Sequence, residues 1–272
     1  MYLTRHQTAD GPRWALDDGF LPRSFDLGLL LQVPASTLDG FLSALPRTEP
    51  AQGRVLAPLE ANHEVWACGV TYLRSREARE AESTVKDVYA RVYEAERPEL
   101  FFKAVGWRVV GHQAGIRVRE DSKWNVPEPE LTLVVNAGGE IVGYCVGDDV
   151  SSRDIEGENP LYLPQAKVYN GSCALGPGIV LGQAASLGLE DLAVQITISR
   201  AGRPMFEGGT RTSQLKRPLA ELVGYLRKEL EFPRGAFLMT GTGVVPPTDF
   251  SMQRGDAVRI TIGQLTLENV VA

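Results

Sequence analysis

Glu128 and Glu130 precede an apolar run in "WNVPEPELTLVVNAGGEIVGYCVGDDVSSRD", and Asp148 and Asp149 close the run that follows. Side chains two apart on a strand share a face, so the two glutamates project together, with Cα atoms about 6.5 to 7 Å apart. Pro127 and Pro129 keep the segment extended and withhold two donors, as suits an edge or the rim of a site. Counting outward from Gly138-Gly139 as the centre of a hairpin places Asp149 opposite Glu128. Three carboxylates on one face repel one another unless a cation or a proton compensates. A hard divalent ion with oxygen ligands is the economical answer. The alternative is a solvated rim, with Asp149 capping a turn.

The elements that must hold these residues are mostly strands. From "ELFFKAVG" onward, short β-like runs ("AGIRV", "LTLVVN", "EIVGYCVG", "GIVLG", "AVQITISR", "AFLMTGTGVV", "AVRITIGQL") alternate with turn signals, and only "PLAELVGYLRKEL" reads as a clear helix among them. This pattern predicts an α+β, mostly β architecture with largely antiparallel pairing. Upstream, "VWACGVTY" reads as a buried strand. In the charged stretch after it, Val85, Val88, Tyr89, Val92 and Tyr93 recur at spacings of three and four, which predicts an amphipathic helix ended before Pro98. Residues 1–60 read as a small N-terminal domain whose one helix is "STLDGFLSAL", capped by Ser36 or Thr37, and 61–272 as the main domain.

Composition narrows the function. With 43% apolar residues in 272, the chain can bury a large core. A net charge of -6 without any Lys/Arg block argues against nucleic acid as a partner. The start of the chain has no apolar signal region, and Leu27 to Leu31 is too short to span a bilayer, which predicts a soluble, cytoplasmic protein with no membrane partner. Cys68, Cys145 and Cys173 are odd in number and form no C-x-x-C pair, and His6, His63 and His112 are scattered. Neither a disulfide framework nor a zinc site is expected, so a metal would be held by oxygen.

"PEPEL", "GDDVSSRD", "AKVYNGSCALGP" and "LMTGTGVVP" followed by "RGDAVRITIGQLTLENVV" come in the order seen in the fumarylacetoacetate hydrolase family, which the chain resembles from about Val65 to Val271. The resemblance implies that family's mixed β-roll, assembled as a homodimer or a dimer of dimers. It implies Mg²⁺, with Mn²⁺ or Ca²⁺ as alternatives, on Glu128, Glu130 and Asp149. Lys167 matches the family's active-site lysine, and Thr242 in "TGTG" its carboxylate-binding loop. Hydrolytic members carry N-Y-x-x-H-x-x-E after the first strand. Here Tyr72 matches, but Ser75 stands at the histidine position and Ala78 at the glutamate position, so the water-activating pair is missing unless Glu77 or Glu80 replaces it. "GVTYLRSREAR", "ERPELFFKA" and "SSRDIEGENPLYLPQAK" resemble instead the branch that dehydrates 2-keto-3-deoxy sugar acids in pentose catabolism, turning 2-dehydro-3-deoxy-D-arabonate into 2,5-dioxopentanoate.

The expected chemistry follows. A 2-keto acid chelates the ion, and loss of the C3 proton gives an enolate that the metal steadies. Lys167 is the first choice for acid or base, with its pKa pushed down by the ion and a dry pocket; Glu156, where hydrolases often carry glutamine, is the second. Tyr72, Ser75, Arg76, Glu99, Lys103 and Thr242 are the expected substrate contacts, with Arg74 and Arg76 closing over the hydroxyls. For Lys103 a strand-end ion pair, and for Arg76 a solvated helix face, are the alternatives. Acylpyruvate hydrolysis, oxaloacetate decarboxylation and a metal-binding scaffold without turnover are the competing functions.

Overall fold

The computed structural model describes residues 1–82 and 86–272, without the side chains of 81, 82, 86 and 87. Its largest sheet runs Gly19–Phe20, Gly11–Leu16, Tyr2–Thr8, Cys173–Leu181, Ile141–Asp149, Pro129–Val135, Ala236–Met239, Glu64–Gly69, Glu99–Val105, with Arg54–Val55 added beside Tyr2–Thr8. Pairing is antiparallel except between Ala236–Met239 and Glu64–Gly69. A second sheet runs Arg203–Arg211, Ala193–Arg200, Ala257–Ile262, Leu265–Val271, Gly115–Ile116. The mostly β, mixed architecture is the one the alternating runs predict.

The central strands are buried on both faces, so they read as continuous apolar runs. Leu131, Leu133 and Val135 face Val194, Ile196, Ile260 and Leu222 in the core between the two sheets. Val134, Cys145, Phe237 and Met239 face the opposite core, which Leu27, Leu30, Leu38 and Leu42 of the N-terminal helices cover. Each such side chain contributes about 1.5 to 3 kcal/mol by leaving water. Glu128, Glu130 and Asp149 share parity with Val134 and Cys145, so one sheet face turns from apolar to acidic toward its end.

The pairing of Pro129–Val135 with Ile141–Asp149 follows the expected count from Gly143↔Val134 to Asp148↔Pro129. The turn itself closes one residue earlier, with the Asn136 N–H donating to Glu140 O at 3.0 Å and Gly139 at φ 82°. A register shift between Ile141 and Gly143 restores the count. Gly147, opposite Glu130, admits no side chain: a Cβ there would stand 2.4 Å from Thr132 Oγ1 and 2.7 Å from Met239 Cε.

Some local expectations need correction. The first 60 residues hold two helices rather than one, Leu27–Leu30 and Ala35–Ala44, the second with Pro34 at its cap rather than Ser36 or Thr37. The strands Tyr2–Thr8 and Gly11–Leu16 were hidden by their buried polar residues Thr4, His6 and Arg13, and Arg203–Arg211 by its glycines and charges. The helical stretch before Pro98 is two helices, Leu73–Glu82 and Lys86–Glu94; Val85 of the expected apolar stripe lies outside the described residues. One short segment holds both ends of this excursion. The Lys216 N–H donates to Thr71 O at 3.0 Å, and Leu215 bridges to Tyr72. The Lys216 ammonium and the Arg217 guanidinium donate to the carbonyls of Tyr93, Ala95 and Glu96, as cations at a helix C-terminus do.

We propose the division near residue 60 as a unit of sequence rather than of independent stability. Tyr2–Thr8 ladders onto Cys173–Leu181, and Leu3 and Leu16 share a core with Leu175 and Phe237. A chain reduced to 61–272 is expected to lose cooperative unfolding in a thermal melt; a fragment melting within a few degrees of the full chain would refute this.

Candidate active site

The hairpin register brings Asp149 to Glu128, and the Asp149 N–H donates to Glu128 O at 3.0 Å. One ligand oxygen from each of Glu128, Glu130 and Asp149 lies within 4.8 Å of the others. Their exposures of 3%, 1% and 1% rule out a solvated rim. Asp148 points to the other face, where its Oδ1 accepts the Glu128 N–H at 3.0 Å and burial pushes its carboxyl up to about 7. Burial, then the charges of Asp149 and Glu128, hold Glu130 well above the usual carboxylate range, against the Lys167 charge and a 2.6 Å hydrogen bond from the Gly241 N–H. A carboxyl that keeps its proton because it is buried, and beside two others, is what a hard cation would relieve, so these donors suit a divalent ion.

Four cations surround the triad. Lys167, the last residue of the helix Leu163–Lys167, sets Nζ 2.8 Å from Glu128 Oε2 and 3.1 Å from Asp149 Oδ2. Arg153 Nη2 lies 2.9 Å from Glu128 Oε1. Arg79 reaches Glu128 Oε1 at 2.8 Å and Glu156 Oε2 at 3.0 Å. Lys103 Nζ lies 2.5 Å from Asp149 Oδ1. The expected depression of the Lys167 pKa is corrected here: burial does pull it down, but Asp149, Glu128 and Glu156 outweigh burial and hold it raised.

Ser75, Glu99, Glu128, Glu130, Asp149, Glu156, Lys167 and Thr242 line one cavity, with Arg79 and Phe101. Three expected contacts lie off its wall. Tyr72 is buried behind Ser75, whose hydroxyl donates to Tyr72 O at 2.7 Å and accepts the Tyr72 N–H at 3.2 Å, closing the first helical turn. Arg76 turns outward to Glu80 and Glu94, each at 3.4 Å, with Tyr93 beneath it. Lys103 stands behind Asp149. Glu77 pairs loosely with Arg74 and Glu80 with Arg76, so neither supplies the acid missing at Ala78. Thr242 ties its loop through Val244, accepting its N–H at 3.2 Å and donating to its carbonyl at 3.1 Å.

Two cavity carboxyls are driven in opposite directions. Glu99 faces Gly69 across the ladder, where a Cβ would stand 2.0 Å from Oε2; among the described residues no hydrogen bond reaches its carboxyl. Burial, then the charge of Glu156, push it up to about 7, although Arg79 and Lys167 oppose them. For Glu156, burial also works upward, but Arg79, Lys167 and the 2.7 Å hydrogen bond from Ser151 prevail and hold it below its ordinary value. Val70, on the same wall, holds φ at 52°, a strained value for a β-branched residue.

Arg79 and Arg153 pair with the triad and were not among the residues expected at the site. Arg79 stands one helical turn after Ser75, so the helix that places one on the cavity places the other, and that spacing was available. Arg153 lies on a strand-to-helix turn whose direction no pattern gives.

Residues 64–272 match the family described as fumarylacetoacetate (FAA) hydrolase C-terminal. A Haloferax volcanii protein named probable 2-keto-3-deoxyxylonate dehydratase is 50% identical over 215 residues, 79% of this chain and 73% of that one. The 2-dehydro-3-deoxy-D-arabinonate dehydratase of Saccharolobus solfataricus is 43% identical over 216 residues, 78% of this chain and 72% of that one. A solved structure of 2-keto-3-deoxy-D-arabinonate dehydratase complexed with magnesium and 2,5-dioxopentanoate superposes with a TM-score of 0.84 at 35% identity, covering 100% of this chain and 98% of that one.

The crowding at Glu130 has a measurable consequence. In chelator at pH 8, Glu130→Gln replaces a carboxyl that the fold disfavours as an anion but that ionises freely when unfolded, and is expected to raise the melting temperature. Wild type should gain about 2.7 kcal/mol with Mg²⁺ at one hundred times its dissociation constant, and the variant almost nothing. An equal Mg²⁺ gain in both would exclude Glu130 as a ligand.

Proposed function

The chain belongs to the fumarylacetoacetate hydrolase family, and on that premise we propose that it is a Mg²⁺-dependent dehydratase of a 2-keto-3-deoxypentonate, forming 2,5-dioxopentanoate and water in pentose catabolism. The observation that carries the reading is the buried triad with Lys167 bridging two of its members, beside a helix in which Ser75 and Ala78 stand where hydrolytic members of the family carry the water-activating pair. Glu128, Glu130 and Asp149 would hold the ion. When bound, it supplies positive charge that polarises a 2-keto oxygen and steadies the negative charge growing there as C3 loses a proton.

The chain's own groups divide the rest. Lys167 Nζ, which lies between Glu128 and Asp149, would move the C3 proton. Those carboxylates keep it protonated; once their charge is taken up, burial is left to bring its pKa down to a working value. Glu99 holds a proton near neutral pH and gives it to the departing C4 hydroxyl, which leaves as water; the enone left behind becomes 2,5-dioxopentanoate as one proton leaves C5, another leaves its hydroxyl, and two return to C3 and C4. Glu156 is a fixed anion that orients Arg79, not the second acid. Thr242 and the loop it ties would receive the substrate carboxylate.

Among the described residues no helix is long and apolar enough to cross a membrane, and the three cysteines are free and buried. These features support a cytoplasmic setting. Assembly as a homodimer or dimer of dimers belongs to the same reading.

Incubation with Mg²⁺ and 2-keto-3-deoxy-D-arabonate, with product followed through a coupled aldehyde dehydrogenase, should give 2,5-dioxopentanoate that disappears with chelator and with Lys167→Ala. Cleavage of an acylpyruvate in its place would overturn the reading in favour of hydrolysis.

Glu99→Gln should lower kcat by roughly 10²- to 10⁴-fold, and wild-type activity should fall as pH rises beyond about 7. The same carboxyl carries a stability signature. Folded Glu99 keeps its proton up to about 7, whereas its ordinary value is 4.5. The folded state therefore binds more protons between those values, and stability falls as pH rises through that window. In chelator, Glu99→Gln should exceed wild type at pH 8 by on the order of 1 to 2 kcal/mol, discounted for partial exposure, and lose that margin toward pH 4.5. Urea unfolding at pH 5 and pH 8 measures it, and a margin independent of pH would remove Glu99 from this role.

A further inference from the structure

Lys103 is fully buried, at 0% exposure, and does not line the cavity. It rises from the strand Glu99–Val105, and its ammonium meets four oxygens: Asp149 Oδ1 at 2.5 Å, Lys167 O at 2.6 Å, Val150 O at 3.1 Å and Ser172 Oγ at 3.3 Å. Two of these belong to groups with a part in the proposed chemistry. Asp149 has a cation on both sides: Oδ1 is in ionic contact with Lys103 without a hydrogen bond, and Oδ2 accepts from Lys167 Nζ at 3.1 Å. Lys167 ends a five-residue helix, so its carbonyl has no partner within that helix. Lys103 and the Ser172 hydroxyl, which donates at 2.8 Å, satisfy it, and a cation suits the negative end of a helix.

We infer that Lys103 is a positioning residue: one buried ammonium sets the carboxylate of Asp149 and the backbone of Lys167 relative to each other, so that metal binding and proton transfer depend on the same contact. The inference rests on the reading of Asp149 as a metal ligand. It moves Lys103 from the substrate, which it cannot reach from behind Asp149, to the support of two groups that face the substrate. Partners that orient metal ligands typically carry 10- to 100-fold of affinity or activity.

Lys103→Met keeps the length and apolar stem and removes the charge. Calorimetric titration with Mn²⁺ should show an affinity 10- to 100-fold weaker than wild type. At saturating Mn²⁺, kcat for the keto acid should fall while KM changes less than about threefold. A raised KM with unchanged Mn²⁺ affinity and kcat would overturn the inference, because Lys103 would then be touching substrate. A lower melting temperature with unchanged Mn²⁺ affinity would overturn it too, leaving a merely structural cation. Loss of a buried ion-pair partner can prevent folding, so Ser172→Ala gives a milder form of the test. That variant loosens the Lys167 carbonyl and should weaken Mn²⁺ severalfold at constant KM; unchanged affinity would again count against the inference. Wild type that binds Mn²⁺ but leaves the keto acid intact would end the dehydratase reading, while the affinity comparison still judges Lys103.

Discussion

Three carboxylates held out of water within 4.8 Å of one another set the terms for much of this molecule. Like charges at such distances in a medium of low polarity are costly unless opposite charge is built around them. Lys103, Arg153, Lys167 and Arg79 meet that demand, and they come from four separate segments of the chain. The strand Glu99–Val105, the turn after Asp149, the helix Leu163–Lys167 and the helix Leu73–Glu82 are thereby drawn to one end of one sheet face. The site thus gathers tertiary structure as well as occupying it.

The same constraint separates the roles of chemically similar groups. Glu99 and Glu156 line one cavity, yet one lies opposite a glycine with no hydrogen bond among the described residues and the other is gripped by Arg79 and Ser151. A carboxyl kept neutral beside one kept charged is the arrangement in which one fold can both donate a proton and hold an anion still. Residue type alone could not divide these labours; the division comes from what each side chain is packed against.

Legibility from the sequence followed sequence distance. The acidic face of the hairpin was readable because strand parity fixes which side chains share a side, and because the early turn and the later register shift cancel over the body of the hairpin. The β-rich architecture was readable from alternating runs and turn signals. Lys103 and Arg153 were not readable as supports of the triad, since nothing in "ELFFKAV" or "DDVSSRD" says that an ammonium will lie 2.5 Å behind Asp149 or that a guanidinium will reach Glu128. The first two strands were missed because the fold buries polar residues in them, Thr4, His6 and Arg13, so that neither an apolar run nor a clean alternation marks the segment.

The clamp formed by Leu215, Lys216 and Arg217 bears on how such a site can diversify. The chain leaves this segment at Thr71 and Tyr72 and returns to it at Tyr93 to Glu96, so the two feet of the helical excursion stand on the same footing. Changing the length of a surface excursion whose ends are fixed adds only a slowly growing entropic cost. The stretch beyond Arg79 is therefore an interchangeable cassette: it can be rewritten to admit a longer or shorter molecule while Ser75 and Arg79 stay with the acidic face that they border.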